Sequence, residues 1–207
     1  MSTILCYGDS NTYGYDPRDR FGRPYSQVWP TLTAEKTGYT MINYGQPGRQ
    51  LPKYEPEWDA LRYQMERYYP DKVMIMLGTN DILNSRTSDL TEIGERMRRL
   101  IDFIQKDCNL SQIDLIVPPE IRTDALFSPE YLLQYRQAAV SEANPMELID
   151  RFRILSAELA VLYKEIADEK GCGYIDTSDW KLEMAYDGVH LSQTGHIQFA
   201  EQILPLL

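Results

Sequence analysis

A regular alternation of short apolar segments with longer helical ones constrains the fold most. Five β-rich apolar runs recur along the chain, at Ile4 to Tyr7, Met41 to Tyr44, Val73 to Leu77, Ile113 to Val117 and Gly173 to Ile175. Short, continuously apolar strands separated by helices are typical of a parallel sheet that helices cover on both faces. The pattern therefore predicts an α/β fold in three layers, α/β/α, with a central five-stranded parallel sheet.

Two of the intervening segments carry an apolar stripe at the three- and four-residue spacing of a buried helix face. One stripe consists of Leu90, Ile93, Met97, Leu100, Ile101 and Ile104, and the other of Ile149, Phe152, Leu155, Leu159, Leu162 and Ile166. We expect both helices to pack against the sheet.

Length, charge and cysteine usage narrow the class of protein. The 207 residues fit one domain, residues 1–207, and no repeat or linker divides them. With 31 acidic and 21 basic residues the formal net charge is −10, so we expect no nucleic-acid partner and no anionic membrane partner. No apolar run approaches the roughly 18 residues of a spanning helix, and no signal-peptide pattern is visible. The expected location is cytoplasmic.

Three cysteines without metal-ligand or redox spacing predict neither a disulfide framework nor a zinc site.

Polar residues follow the predicted strands, at the sheet edge where open parallel sheets bind ligands. The first strand runs into Gly8-Asp9-Ser10-Asn11-Thr12, which places a hydroxyl beside the free N–H groups of a helix start. Ser10 is therefore a candidate nucleophile. A simpler interpretation also fits this segment, because Asp and Ser are preferred helix N-caps.

Two further strand ends supply candidate hydrogen-bond donors. The third strand ends in Gly78-Thr79-Asn80-Asp81, where the Asn80 carboxamide could donate to an oxyanion or form a local Asx-turn. The second strand runs into Asn43-Tyr44-Gly45-Gln46-Pro47-Gly48, where Gly45 could let the backbone present its N–H to a ligand. A plain turn explains that glycine as well.

A carboxylate and an imidazole stand three residues apart in Asp187-Gly188-Val189-His190. A turn of this length lets Asp187 fold back onto His190, fix its tautomer and stabilise the imidazolium. Alternatively, Asp187 and His190 could each form only local hydrogen bonds within a turn and have no catalytic role. The only other histidine, His196, lies in a predicted last helix, where capping or packing suits it better.

Together the four segments supply the nucleophile, base, orienting acid and donors that acyl transfer through an oxyanion hole requires. They also resemble the four sequence blocks of the SGNH hydrolase, or GDSL-type lipase/esterase, superfamily over nearly the whole chain. The resemblance is greatest to the arylesterase/acyltransferase and carbohydrate acetylesterase branches.

This resemblance implies a flavodoxin-like fold and a role for each matching residue. Ser10 would be the nucleophile, His190 the base and Asp187 its partner. The Ser10 N–H, the Gly45 N–H and the Asn80 side chain would form the oxyanion hole. No cofactor and no metal would be required.

Three neighbouring positions carry no bond-making role in this scheme. Asn11 stands where the namesake pattern of the family has Leu, at a position that is not catalytic in the family. Asp9 and Asp81 match family positions and are expected to hold the loops.

Two other classes of function compete with esterase chemistry. The first is a metal-dependent phosphoesterase, whose ligands would come from Asp9, Asp81, Asp187, His190 and His196, although their spacing matches no familiar metal motif. The second is a non-catalytic binding module that keeps the fold.

The expected substrate is a small-molecule ester or an acetylated sugar. Four loops after strands, Tyr13 to Trp29, Gly48 to Trp58, Leu83 to Ser88 and Pro118 to Tyr131, would wall the pocket. Their aromatic residues are Tyr13, Tyr15, Phe21, Tyr25, Trp29, Tyr54, Trp58, Phe127 and Tyr131. Aromatic walls suit a sugar ring or a short acyl or aryl group, and the same residues could instead form a homo-oligomer interface. An acceptor alcohol could also replace water, which leaves acyl transfer open.

Overall fold

The computed structural model describes residues 2–85, 89–110, 112–122 and 145–207. Its sheet consists of β1 (Thr3–Gly8), β2 (Thr40–Gly45), β3 (Lys72–Met76), β4 (Ile113–Ile116) and β5 (Gly173–Ile175). The strand order is β2-β1-β3-β4-β5, and every neighbouring pair is parallel. The prediction of a five-stranded parallel sheet is confirmed, with strand ends that differ by at most one residue.

The helices connect these strands and cover both faces of the sheet. Within the described ranges they are α1 (Ser10–Tyr13), α2 (Trp29–Thr37), α3 (Glu55–Tyr68), α4 (Thr79–Asn84), α5 (Thr91–Asp102), α6 (Pro145–Lys170) and α7 (Gln193–Ile203). A π-helical turn, Phe103–Asp107, continues α5, and a 3₁₀ turn, Leu204–Leu206, follows α7. The two predicted apolar stripes fall on α5 with its π turn and on α6. Among the described residues, no helix has the length and apolar character needed to cross a membrane.

Alternation along the strands divides the core into two layers. On β1, Leu5 and Tyr7 face a cluster that includes residues of α3, α5 and α6. Ile4 and Cys6 face the opposite cluster, which includes Trp29 of α2 and residues of α7. Because both sheet faces are covered, the continuous apolar character of the strands is explained, and the α/β/α layering is confirmed.

The strand order places a switch point between β1 and β3. The chain leaves β1 toward β2 on one side, then crosses back to β3 and continues outward to β4 and β5 on the other side. Ligand sites in open α/β sheets lie beyond the carboxyl ends of the strands at such a point. The segments carrying Ser10 and Asn80 follow these two strands.

Glycine lets the helices approach the strand ends closely at this edge. A Cβ at Gly8 would lie 1.9 Å from Thr12 Oγ1, so only glycine permits α1 to fold back over the end of β1. Gly78 has a φ of +123°, and a Cβ there would meet the Tyr163 hydroxyl at 2.7 Å. Both turns therefore depend on the absence of a side chain.

Candidate active site

Ser10 lies at the first position of α1, directly beyond the end of β1. Asp9 is the N-cap, and its carboxylate accepts a hydrogen bond from the Asn11 N–H at 2.9 Å. The capping interpretation of this segment thus applies to Asp9, while Ser10 lines a cavity of about 340 Å³. A short helix start therefore presents a hydroxyl at the carboxyl edge of the sheet.

The predicted nucleophile, base and acid lie within hydrogen-bond distance of one another. His190 Nε2 is 3.0 Å from Ser10 Oγ, and His190 Nδ1 is 2.6 Å from Asp187 Oδ2. The other oxygen of Asp187 accepts the backbone N–H groups of Val189 at 3.0 Å and His190 at 3.1 Å. The structure thus brings together three residues that the chain separates by up to 180 positions.

Asp187 is held in its ionised form. Burial would raise the pKa of Asp187, but hydrogen bonds from the His190 ring and from two backbone N–H groups outweigh burial and lower the pKa below its ordinary value. A carboxylate in this state keeps a proton on Nδ1 of the imidazole and leaves Nε2 to face the serine.

Asn80 reaches the same cavity from the first turn of α4. Its Nδ2 donates to the backbone oxygen of Arg49 at 3.1 Å and lies 3.5 Å from Asp9 Oδ2, at the limit of a hydrogen bond. The carboxamide is therefore oriented by the first contact, while its second N–H is only weakly engaged.

Asp9 and Asp81 make structural contacts that hold the loops around the cavity, which is the role expected for both from the sequence. Asp81 pairs with Arg96 at 2.9 Å and accepts the Leu51 N–H at 3.2 Å, which ties α4, α5 and the loop after β2 together. Burial raises the pKa of Asp81 to about 6, against the opposing charge of Arg96. Burial likewise raises the pKa of Asp9 to about 6.

The structure does not bring Gly45 to the cavity, which corrects the expectation that its N–H serves the oxyanion hole. Gly45 ends β2, and its N–H donates to Asn43 Oδ1 at 3.0 Å. A Cβ at Gly45 would lie 2.1 Å from the Tyr13 nitrogen, so this glycine permits close packing of α1 on β2. The glycine that lines the cavity with Ser10 and Asn80 is Gly48.

Gly48 lies three residues beyond the strand, in a loop fixed by Arg49. Its φ of +76° requires glycine, whereas the space beside it is open. The guanidinium of Arg49 donates to the Gly8 oxygen at 2.8 Å and lies over the Tyr7 and Tyr44 rings, 4.6 and 4.3 Å from their centroids. The sequence contained one signal for Gly48, a second glycine in the segment after β2.

The cavity is small and has mixed polarity. Its lining residues are Ser10, Tyr15, Pro17, Pro47, Gly48, Asn80, Leu83, Asp187, Val189 and His190. The Tyr15 ring lies 4.9 Å from the His190 ring. A second cavity of about 460 Å³ shares Pro47 and Gly48 with the first and is likewise of mixed polarity, with Gln50, Lys53 and Tyr54 among its lining residues.

The remaining predicted aromatic residues differ in burial, and Tyr13 and Tyr25 are half-buried. Trp29 and Trp58 are buried in the core, whereas Phe21 is 67% exposed and Tyr54 69% exposed. Phe127 and Tyr131 lie outside the described residues, as do most of the loop from Pro118 to Tyr131 and the last three residues of the loop from Leu83 to Ser88.

His196 lies apart from the cavity, in α7. Its side chain is fully buried, and neither ring nitrogen has a hydrogen-bond partner among the residues that the structure describes. Burial lowers the pKa of His196 to about 4. In the described part of the chain, His, Cys, Asp and Glu form no group that could hold a metal ion. The five ligands considered for a phosphoesterase therefore do not converge.

A model of the GDSL-like lipase/acylhydrolase family matches residues 6–197. The chain belongs to this family. It is accordingly a carboxylic ester hydrolase of the GDSL esterase/acylhydrolase type, and the superfamily expected from the sequence is confirmed. No curated protein matches the sequence significantly.

Solved structures of three bacterial proteins share the fold. A carbohydrate acetylesterase family member from Sinorhizobium meliloti is 23% identical, with a TM-score of 0.73 over 100% of this chain and 97% of that one. The M. smegmatis aryl esterase is 21% identical, with a TM-score of 0.76 over 100% of both chains. The lipase/acylhydrolase from Enterococcus faecalis is 22% identical, with a TM-score of 0.64 over 100% of this chain and 97% of that one.

Proposed function

We propose that the chain hydrolyses short-chain carboxylic esters through a triad of Ser10, His190 and Asp187. The observation that carries the proposal is the continuous chain of contacts from Ser10 Oγ through both imidazole nitrogens to a buried carboxylate, at 3.0 and 2.6 Å. A nucleophile, a base and an orienting acid in this order define the chemistry, whatever their positions in the sequence.

In the first half of the reaction His190 Nε2 accepts the Ser10 proton as Oγ attacks the ester carbonyl. The ionised Asp187 stabilises the imidazolium that forms. The imidazolium then gives its proton to the departing alkoxide, and an acyl group remains on Ser10. In the second half the neutral imidazole activates a water molecule, which releases the acid and restores the serine.

The negative charge on the tetrahedral intermediate needs donors that are already in place. We assign two of these donors to the Ser10 N–H at the start of α1 and to the Asn80 Nδ2, the residues that the resemblance implies. In place of Gly45 we assign the third donor to the Gly48 N–H, because Gly48 lines the same cavity as Ser10.

The lining of the cavity suits a short acyl or aryl group. Its described walls include Tyr15, Pro17 and Leu83 close to Ser10. The adjoining cavity of about 460 Å³, with Gln50, Lys53 and Tyr54 in its walls, suits a polar leaving group such as a sugar. This second observation, with the carbohydrate acetylesterase among the similar structures, keeps O-deacetylation of carbohydrates as the alternative function.

A substrate panel tests the proposal. Aryl esters with acyl chains of two to about ten carbons and a set of acetylated sugars would be compared by kcat/KM, with Ser10→Ala as the inactive control and a chelator added in parallel. Highest activity on acetyl or propionyl esters, lost in Ser10→Ala and unaffected by the chelator, would support the proposal. Activity that survives in Ser10→Ala, or that depends on a metal, would contradict it.

A further inference from the structure

Asn11 links the turn that carries the nucleophile to the loop that carries the base. Its side chain is 1% exposed. Its Nδ2 donates to the backbone oxygen of Val189 at 3.0 Å, and its Oδ1 accepts the backbone N–H of Leu191 at 2.8 Å. These two partners are the residues immediately before and after His190 in the chain.

The chemistry of the carboxamide matches this pair of backbone groups. One contact requires a donor and the other an acceptor, and a single short side chain must supply both. A leucine offers neither, an aspartate offers only acceptors when ionised, and a serine has one oxygen and a shorter reach. Asn11 is fixed in turn, because its own N–H donates to the Asp9 carboxylate at 2.9 Å.

The loop around His190 has a second set of contacts with a different effect. Asp187 holds the imidazole through Nδ1, and the His190 oxygen accepts the N–H of Ala185 at 2.7 Å. These bonds join residues within the loop, so they orient the ring. The buried side chains of Val189 and Leu191 also anchor the loop in the two core clusters. The Asn11 carboxamide adds direct hydrogen bonds from α1 to the backbone on both sides of His190.

We infer that Asn11 is a positioning residue that holds His190 Nε2 within proton-transfer distance of Ser10 Oγ. The inference rests on the proposed function, because it assigns a role within that triad. Without the carboxamide, the backbone on both sides of His190 loses its hydrogen bonds to α1. The imidazole can then shift relative to Ser10 while the Asp187–His190 pair stays intact. A displacement of about 1 Å in a reacting group can cost about 100-fold in rate.

A purely structural role for Asn11 makes a different prediction. Removing the carboxamide leaves a buried C=O and a buried N–H without partners, which destabilises the fold under either interpretation. Only positioning also lowers the turnover of molecules that remain folded. The two interpretations therefore separate in kcat, measured well below the unfolding temperature.

The test uses Asn11→Leu, which is nearly isosteric, and Asn11→Ser, which shortens the side chain. The matched control is Thr12→Val, because Thr12 is equally buried in the same helix and its hydroxyl has no hydrogen-bond partner among the described residues. Three quantities are measured for each variant: the unfolding temperature, kcat and KM on an acetyl aryl ester, and the rate at which an organophosphonate labels Ser10. The last rate reports on the Ser10–His190 pair without substrate recognition.

We expect both Asn11 variants to lose about 100-fold in kcat, with a similar loss in labelling rate. KM should change less than about threefold, since the substrate still binds. The midpoint of the pH–rate profile should not move, because the Asp187–His190 pair stays intact within the loop. Thr12→Val should keep wild-type kcat and labelling.

Wild-type kcat and labelling in a folded Asn11 variant would overturn the inference. So would equal losses in the Asn11 variants and Thr12→Val. Failure of both Asn11 variants to fold where Thr12→Val folds would also overturn it, because Asn11 would then hold the fold and not the base. Failure of the proposed function gives a separate result, since the wild type itself would then show neither esterase activity nor labelling at Ser10.

Discussion

Replacement of His196 by leucine should make the stability of the fold less sensitive to acid. The imidazole is fully buried in α7, and neither nitrogen has a partner among the described residues. Protonation in the folded state would therefore place an unpaired charge in the core, near the ring of Tyr25, whose centroid lies 5.8 Å away. For this reason the folded protein keeps His196 neutral at a pH where the unfolded chain binds a proton.

The sign and size of the effect follow from the two pKa values. Burial lowers the pKa of His196 from 6.5 in the unfolded chain to about 4 in the fold. Between these values the unfolded state binds more protons, so the free energy of unfolding falls as the pH decreases. With about 1.4 kcal/mol per pKa unit, the loss relative to pH 8 is about 2 kcal/mol at pH 5. The buried carboxyl groups of Asp9 and Asp81 have raised pKa values and act in the opposite sense, but both proteins share them.

Urea unfolding followed by tryptophan fluorescence measures the difference between wild type and His196→Leu at pH 8 and pH 5. From pH 8 to pH 5, the free energy of unfolding of His196→Leu should rise by about 2 kcal/mol relative to that of the wild type. Phe199→Leu, another fully buried substitution in α7, serves as the control and should give a difference that does not depend on pH. A constant difference for His196→Leu would refute the reasoning, because the imidazole would then titrate alike in both states.

Three further predictions concern the cavity and its supports. Asn80→Ala should lower kcat by about 10²- to 10³-fold with a smaller change in KM, since the carboxamide acts on the transition state; an unchanged kcat would exclude it from the oxyanion hole. Asp187→Asn should fold normally by circular dichroism and lose about 10⁴-fold in kcat, because the amide can hold the imidazole in the wrong tautomer; near-normal turnover would contradict the triad. Arg96→Met should cost about 3–5 kcal/mol in urea unfolding at pH 8, because it leaves the buried Asp81 carboxylate unpaired; a loss under about 1 kcal/mol would show that the ion pair contributes little.

The amino-acid sequence was sufficient to predict the strands and helices whose residues form one continuous buried face or a wholly buried segment. Residues such as Val73 and Ile75 are buried on one face of β3, and Met74 on the other, so the whole strand is apolar and recognisable. The stripe on α5 is equally clear, although no pattern indicated that its last turn would widen into a π helix.

The sequence was less informative where function depends on loop geometry. Gly45 and Gly48 stand three residues apart in one segment, and the backbone freedom of glycine gives both the same signal. The difference arises in three dimensions, since Asn43 takes the Gly45 N–H while the loop held by Arg49 carries Gly48 to the cavity.

Polar contacts between residues that are distant in the chain could not be predicted either, because no local sequence pattern indicates them. Asn11 contacts residues 178 and 180 positions away, and Arg96 pairs with Asp81 across two helices. Such partners satisfy each other only after the elements have packed. The triad could be proposed from the sequence because one half of it, Asp187 and His190, is local, and because few histidines compete for the role.

The measurement that tests the central claim most directly is covalent labelling by an organophosphonate, mapped by mass spectrometry. We expect one adduct per chain, on Ser10, formed rapidly by the wild type and by His196→Leu. In His190→Ala the labelling rate should fall by about 10³-fold or more, because the serine loses its base. An adduct on another serine, or rapid labelling of Ser10 in His190→Ala, would contradict the proposed triad.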